Sequence, residues 1–207
     1  MIGPGEIFTL FFVTLGPEKV IGPFAQQTRA LEPAALRGIA LRVFVLSLFA
    51  VGVGGFFGRH LVHRWHISMP ALLISTGIIF FLVALRVVLE QYEPPRDAAP
   101  PPLPAEPMAA ALKLTFPTVV TPYGIAGLIV LLAATADTVR EEMIFGILLG
   151  VMVLNLLAML FARAIVQGAL LLLLRLLGAV LGVVQVALAM QIMLQGLESL
   201  GVVPAAK

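Results

Sequence analysis

The chain has 207 residues, of which 60% are hydrophobic and only 12% charged, with a formal net charge of +2. A soluble domain of this length needs far more polar surface, so the composition excludes one and indicates a polytopic membrane protein. The small net charge argues against a nucleic-acid partner, and the lack of cysteine removes disulfides, thiolate metal sites and Cys nucleophiles.

A bilayer core about 30 Å thick takes roughly 20 apolar helical residues, and six apolar segments follow one another along the chain. The first, approximately 6–28, lacks a basic leader and a small-residue cleavage site, so it reads as a retained span. It carries FVTLGPEKVIGPF, in which Gly16-Pro17 and then Pro23 interrupt the apolar run and Glu18-Lys19 stand near its centre. Proline removes a backbone donor and clashes with the preceding turn, so Pro17 here, and Pro117 in the fourth segment, should interrupt their helices. Ionisable groups at mid-membrane cost on the order of 2.5–3.5 kcal/mol each on insertion scales and mark function by default. Glu18 is then fit to bind an ammonium group or to carry a coupling proton, and Lys19 to neutralise it or meet a carboxylate. The alternative is a shorter re-entrant piece whose two side chains snorkel to water.

The second segment, 37–58, ends in GVGGFFG. That glycine run closes a span and has no strand–helix unit or acidic partner, so it is no dinucleotide fingerprint. The loop that follows holds all three histidines, His60, His63 and His66, with Trp65, Arg59 and Arg64. These read as a headgroup-level loop, with no carboxylate nearby to complete a metal shell. The third segment, 67–89, contains LLISTGIIF, and Arg86 near its end reads as an interfacial anchor.

Residues 90–107, EQYEPPRDAAPPPLPAEP, form a polar, proline-rich linker. It separates residues 1–89 from 108–207, each half holding three segments. The fourth segment, 108–134, repeats the feature of the first: Phe116-Pro117, then Thr118, Thr121, Pro122, Tyr123 and Gly124. Its hydroxyls, with Thr115, are suited to replace lost backbone partners or to contact a polar substrate. The fifth, 141–163, has Asn155 as its one strongly polar residue at depth, as helix–helix glue or a substrate contact. The sixth, 174–198, carries Gln185, Gln191 and Gln195, of which Gln185 lies deepest.

Pro17 to Gly77 and Pro117 to Gly178 lie at nearly the same offset. Three spans per half is an odd number, so the second half enters the membrane upside down. The expectation is an all-α protein of six transmembrane helices in two inverted three-helix repeats, with helices 1 and 4 broken. The alternative is that proline and glycine are simply common in membrane helices. Each break leaves a half-helix N-terminus, a natural seat for a carboxylate. Arg29, Arg37, Arg96, Lys113, Arg163 and Arg175 fall on one side, against Arg59, Arg64, Arg140 and Lys207 on the other. The positive-inside rule then puts both termini outside.

FVTLGPEKVIGPF resembles the opening of the MarC membrane proteins, and LTFPTVVTPYGIAGLIVLLA (114–133) resembles their second-half signature, with Pro117 and Pro122 keeping its spacing. LLISTGIIFFLVAL and LLLLRLLGAVLGVVQVALAMQIMLQGL are similar to the family's third and sixth spans, so the resemblance covers essentially the whole chain. Gly16 stands where the family usually has Asn, the gap from Pro17 to Pro23 is one residue longer, and Thr121 and Tyr123 replace both glycines of a Gly-Pro-Gly turn. The resemblance implies movement of small neutral amino acids across a bacterial or archaeal inner membrane, coupled to an ion gradient such as protons or sodium.

The reading is therefore a transporter, not an enzyme, with no cofactor and no resident metal. Its substrate is a small polar or zwitterionic solute, with the bilayer as its partner and further copies of the chain as candidate partners. The candidate site is Gly16, Pro17, Glu18, Lys19, Pro117, Thr118, Thr121, Pro122, Tyr123, Gly124 and Asn155. Two rivals are a metal or inorganic-ion exporter of similar architecture and a non-transporting membrane scaffold.

Overall fold

The computed structural model describes residues 3–90, 103–104, 106–135, 137–167 and 170–204. Most of the proline-rich linker, with Arg96, and the C-terminal Lys207 lie outside the described residues, as do the side chains of Arg86 and Arg175. Every regular element among the described residues is helical. In chain order these are α1 (Pro4–Leu15), α2 (Glu18–Gln27), α3 (Pro33–Arg64), α4 (Met69–Glu90), α5 (Pro107–Leu114), a π turn (Thr115–Val119), α6 (Pro122–Ala133), α7 (Thr138–Leu160), α8 (Ala162–Gln167) and α9 (Leu170–Ser199).

Prolines set several of the starts. Pro33, Pro107 and Pro122 open α3, α5 and α6 directly after an extended residue, where a missing N–H costs nothing and the fixed φ suits the helix. Asp137 caps α7 by accepting from the Val139 N–H at 3.2 Å. Gly201, at φ 72°, turns the chain out of α9.

Four stretches are long and apolar enough to cross a bilayer: Ile7–Gln27, Pro33–Arg64, Thr138–Leu160 and Val180–Ser199. A fifth arises if Pro107–Val119 and Pro122–Ala133, bent by 65°, count as one span, while Met69–Leu85 is apolar but shorter. The helix at the second segment is longer than its apolar core. It continues from Pro33 through Arg64, so His60 and His63 ride its last turns and are not in a loop. The His63 ring Nδ1 lies 2.9 Å from the Arg59 carbonyl one turn back. Among the described residues no three His, Asp or Glu side chains gather to hold a metal.

Glycines let the helices approach. Gly54, Gly55 and Gly58 of α3 face Ile125, Leu128 and Ile129 of α6, and a Cβ at Gly54 would already sit 3.1 Å from Ile125. The GVGGFFG run is thus a packing stripe, of the kind that joins membrane helices without a hydrophobic driving force. The broadest helix contact is α4 on α9. There a Cβ at Gly77 would meet the Ala189 carbonyl at 3.0 Å, and one at Gly196 the Pro70 carbonyl at 3.1 Å. The opposite face of α3, with Leu41, Val45, Phe49, Phe56 and Phe57, is exposed, as a lipid-facing surface would be.

Two arginines tie opposite ends of the bundle. Arg59 of α3 pairs with Glu141 of α7 and also reaches the Thr135 carbonyl at 3.4 Å. Arg163 of α8 donates to the carbonyls of Thr28 and Leu31 at 2.6 and 2.5 Å. The two ties lie roughly 40 Å apart along α3, at 1.5 Å per helical residue.

Gly77 permits a test of the close α4–α9 contact. Gly77→Val should lower stability by about 1–3 kcal/mol, as overpacking does in other cores, read as a fall in the melting midpoint of the detergent-solubilised protein. Gly52→Val, where a Cβ meets nothing within 4 Å, should leave the midpoint unchanged. Equal effects at the two positions would refute the assignment of Gly77 to a tight interface.

Candidate functional site

The first apolar segment is interrupted where the prolines place it. α1 ends at Leu15, and Gly16 and Pro17 lead into α2, whose cap is Pro17 at φ −68° and ψ −22°. A Cβ at Gly16 would overlap the Phe12 carbonyl, so this backbone path fits glycine, and a larger residue would have to shift it. The Pro17 carbonyl accepts from the Val20 and Ile21 N–H groups, both at 3.1 Å, which starts α2 afresh. Pro23 lies inside α2, which continues through it.

The second interruption is wider. α5 gives way to the π turn, within which Phe116 leaves helical geometry at φ −114° and ψ 126°. Val120 and Thr121 are extended, and Pro122 then opens α6. Pro117 occupies the turn, so Pro122 is the proline that begins the new helix.

The two interruptions meet. A helix end leaves its last carbonyls without intrahelical donors, and in an apolar interior each needs another partner. The Thr14 carbonyl accepts from the Thr121 hydroxyl at 3.1 Å, and the Leu15 carbonyl accepts from the Asn155 amide at 2.6 Å. Thr121 serves both sides, because its oxygen also accepts from the Gly124 N–H at 3.2 Å as the N-cap of α6. Gly124 has to be small here, since a Cβ would run into the Leu15 side chain. A third bond joins the ammonium of Lys19 to the Tyr123 hydroxyl at 2.8 Å, with the same nitrogen 4.7 Å from the ring centroid. Tyr123 in turn packs edge-on against Phe80 of α4, with ring centroids 6.2 Å apart.

Gly16, Pro17, Lys19, Thr121, Tyr123, Gly124 and Asn155 therefore converge, although the chain separates them by more than a hundred residues. Glu18 is half-buried next to Lys19, and among the described residues no ion pair joins the two. Pro117 and Pro122 are exposed and Thr118 is half-buried, with no side-chain bond to the first interruption. The Asn155 amide nitrogen binds backbone, which is the glue role, while its Oδ1 is buried without a partner.

A cavity of about 100 Å³ lies beside this junction, between α1, α4, α6 and α9. Leu10, Thr76, Gly127, Leu131, Gln191 and Gln195 are among its lining residues, so its polar groups are one hydroxyl and two carboxamides. Gly127 forms one wall, where a Cβ would sit 3.2 Å from Phe80 and 2.9 Å from Leu10. Sequence reasoning singled out Gln185, which is buried with its Nε2 unpartnered, and passed over the two glutamines that line the cavity. Their spacing of four, which puts both on one helix face, was the available signal. Thr14 and Thr76 gave no signal beyond being hydroxyls in apolar runs.

A family model for the MarC family integral membrane proteins matches residues 5–200, nearly the full chain. The chain belongs to that family. No curated protein and no solved structure matches it.

The stitched carbonyls generate a stability prediction. Thr121→Val and Asn155→Leu should each destabilise by about 1–3 kcal/mol, the cost of stranding a buried polar group, while Thr121→Ser should stay near wild type. Thermal unfolding in detergent reads all three. A Thr121→Val protein as stable as wild type would show that the Thr14 carbonyl finds another donor.

Proposed function

We propose that this MarC family membrane protein is a secondary transporter of small polar solutes, with small neutral amino acids as the first class to test. Two halves, α1–α4 and α5–α9, act as inverted repeats of three spans each. The observation that carries this reading is the junction of the two interruptions, where Thr121 bonds to both Gly124 and Thr14. Interrupted helices at matching positions of two halves are the usual location of a substrate site in such transporters.

The packing pattern supports the repeat. α3 packs on α5 and α6, and its counterpart α7 packs on α1 and α2. α4 packs on α6, its counterpart α9 touches α1, and α4 and α9 pack on each other. Exchange of the halves thus returns the same neighbours at the level of whole interrupted segments, although α4 packs on the second half-helix, α6, and α9 on the first, α1. The directions also agree with inversion, because α2 ends near Arg163 while α6 ends near Arg59.

The cavity supports the substrate class. Its lining combines apolar walls with the neutral polar groups of Thr76, Gln191 and Gln195, which favours a small uncharged or zwitterionic solute over an ion. Phe80, Tyr123 and Lys19 form a stack between the Gly127 wall and the first interruption. In an alternating-access cycle that stack is the element to part, bringing a substrate ammonium or a coupling proton or sodium ion within reach of Glu18. The carboxylate then faces the N-terminal turns of α2 and α6.

Purified protein in sealed vesicles tests this reading. Labelled alanine, serine or threonine should accumulate under an imposed ion gradient. Gln191→Leu and Gly127→Leu should each reduce the rate at least about tenfold, a loss of roughly 1.4 kcal/mol, and Glu18→Gln should remove the dependence on the gradient. If no amino acid moves and Glu18→Gln changes nothing, the transporter reading fails and a scaffold role replaces it.

A further inference from the structure

A second and larger cavity has no part in that reading. It has a volume of about 490 Å³ and lies at the Arg163 end, lined by Ala25, Gln26, Arg29, Arg163, Val166 and Gln167. Its lining combines two guanidinium groups and two carboxamides with one alanine and one valine, and among the described residues no carboxylate lines it. The nearest acidic residue along the chain, Glu32, is exposed at the start of α3.

Two features make this more than a pair of surface arginines. First, Arg163 is fixed. One terminal nitrogen donates to the carbonyls of both Thr28 and Leu31, so the guanidinium is held in place, and among the described residues its other terminal nitrogen has no bond to protein. Second, those bonds neutralise the carbonyl-rich exit of α2, whose partial negative charge would otherwise repel an anion. The Thr28 hydroxyl does not compete, because it bonds back to the Phe24 carbonyl at 2.7 Å. Gln26 and Gln167 add amide donors to the lining.

The position also matters. Arg29 stands two residues beyond the apolar span Ile7–Gln27, at the depth where headgroups begin. Guanidinium groups bind phosphate through paired N–H donors, and basic pockets between membrane helices take phosphate headgroups. We propose that this cavity is an anion site for a phosphate group, supplied either by an anionic phospholipid or by a free phosphate in solution.

The test uses the full-length protein in a neutral detergent. Melting midpoints are measured with added phosphatidylglycerol, with phosphatidylcholine of the same chains, and with inorganic phosphate against equal ionic strength of chloride. Wild type should be stabilised by phosphatidylglycerol more than by phosphatidylcholine if the source is lipid, or by phosphate over chloride if the source is soluble. In either case the selective rise should disappear in Arg29→Gln and in Gln26→Glu, which places a carboxylate at the cavity. Both positions are exposed, so the midpoint without additive should match wild type, and Arg163 is left intact because it also holds backbone. No selective stabilisation by either anion, or a selective rise that survives both substitutions, overturns the proposal.

Discussion

A backbone carbonyl released inside an apolar bundle has nowhere to go but to another protein donor, and this constraint organises the centre of the molecule. Gly16-Pro17 ends α1 and strands the carbonyls of Thr14 and Leu15. Water cannot reach them, since Thr14 and Leu15 are buried. The donors come from α6 and α7, through Thr121 and Asn155. Both breaks therefore become rigid only together: the cap that starts α6 is the same hydroxyl that finishes α1. An unsatisfied buried group costs more than the bond itself gains, so this arrangement fixes the register of α1 against α6 and α7 more firmly than apolar packing would.

Around that centre the structure separates two kinds of adhesion. Along the helices, the contacts are close and uncharged, made by glycines on α3, α4 and α9 and by threonines that bond their own helix. Thr14, Thr28, Thr115 and Thr135 each donate to the carbonyl one turn back, at 2.7–2.9 Å. Such hydroxyls are self-contained and can face any neighbour. Charged groups hold the ends, where Arg59 and Arg163 make connections that water can also reach. Lys19 sits near the junction instead and gives its charge to Tyr123.

Local chemistry was legible in the sequence and its long-range partners were not. Pro17 announces a helix start because proline acts on its own backbone, whereas the break read at Pro117 lies in the π turn and the new helix begins at Pro122. Asn155 announces a need for a partner because an amide in an apolar segment must find one. Nothing in the chain says that the partner is Leu15 rather than any other free carbonyl. That choice depends on how α7 docks, which is a property of the whole bundle. The histidine segment misled for a related reason: its polarity suggests a loop, but helix propagation from α3 carries through Arg64 because no breaker intervenes until Trp65 and His66, the latter at φ 52°. The cavity was the least legible feature. It exists where Gly127 omits a side chain and where Gln191 and Gln195 happen to face inward, and a void between four helices has no signature in any one of them.

The location of charge bears on how such a bundle could move. Any change of shape that kept α1 bound to α6 and α7 would have to pivot at the stitched carbonyls, since separating them would expose polar backbone to hydrocarbon. Among the described residues, the α4–α9 pair and the α3–α6 pair are bound by glycine contacts without hydrogen bonds between side chains, so sliding there strands none of their described polar side chains. The Lys19–Tyr123 contact is a single bond between a half-buried ammonium and a buried phenol, and parting it leaves two groups that an entering polar ligand can satisfy. The proposed alternating-access cycle thus has a pivot that is costly to break and a closure that is cheap to open. That asymmetry, with hydrogen-bonded backbone at the hinge and a side-chain pair at the gate, is what the reading of the site as a transport pathway requires.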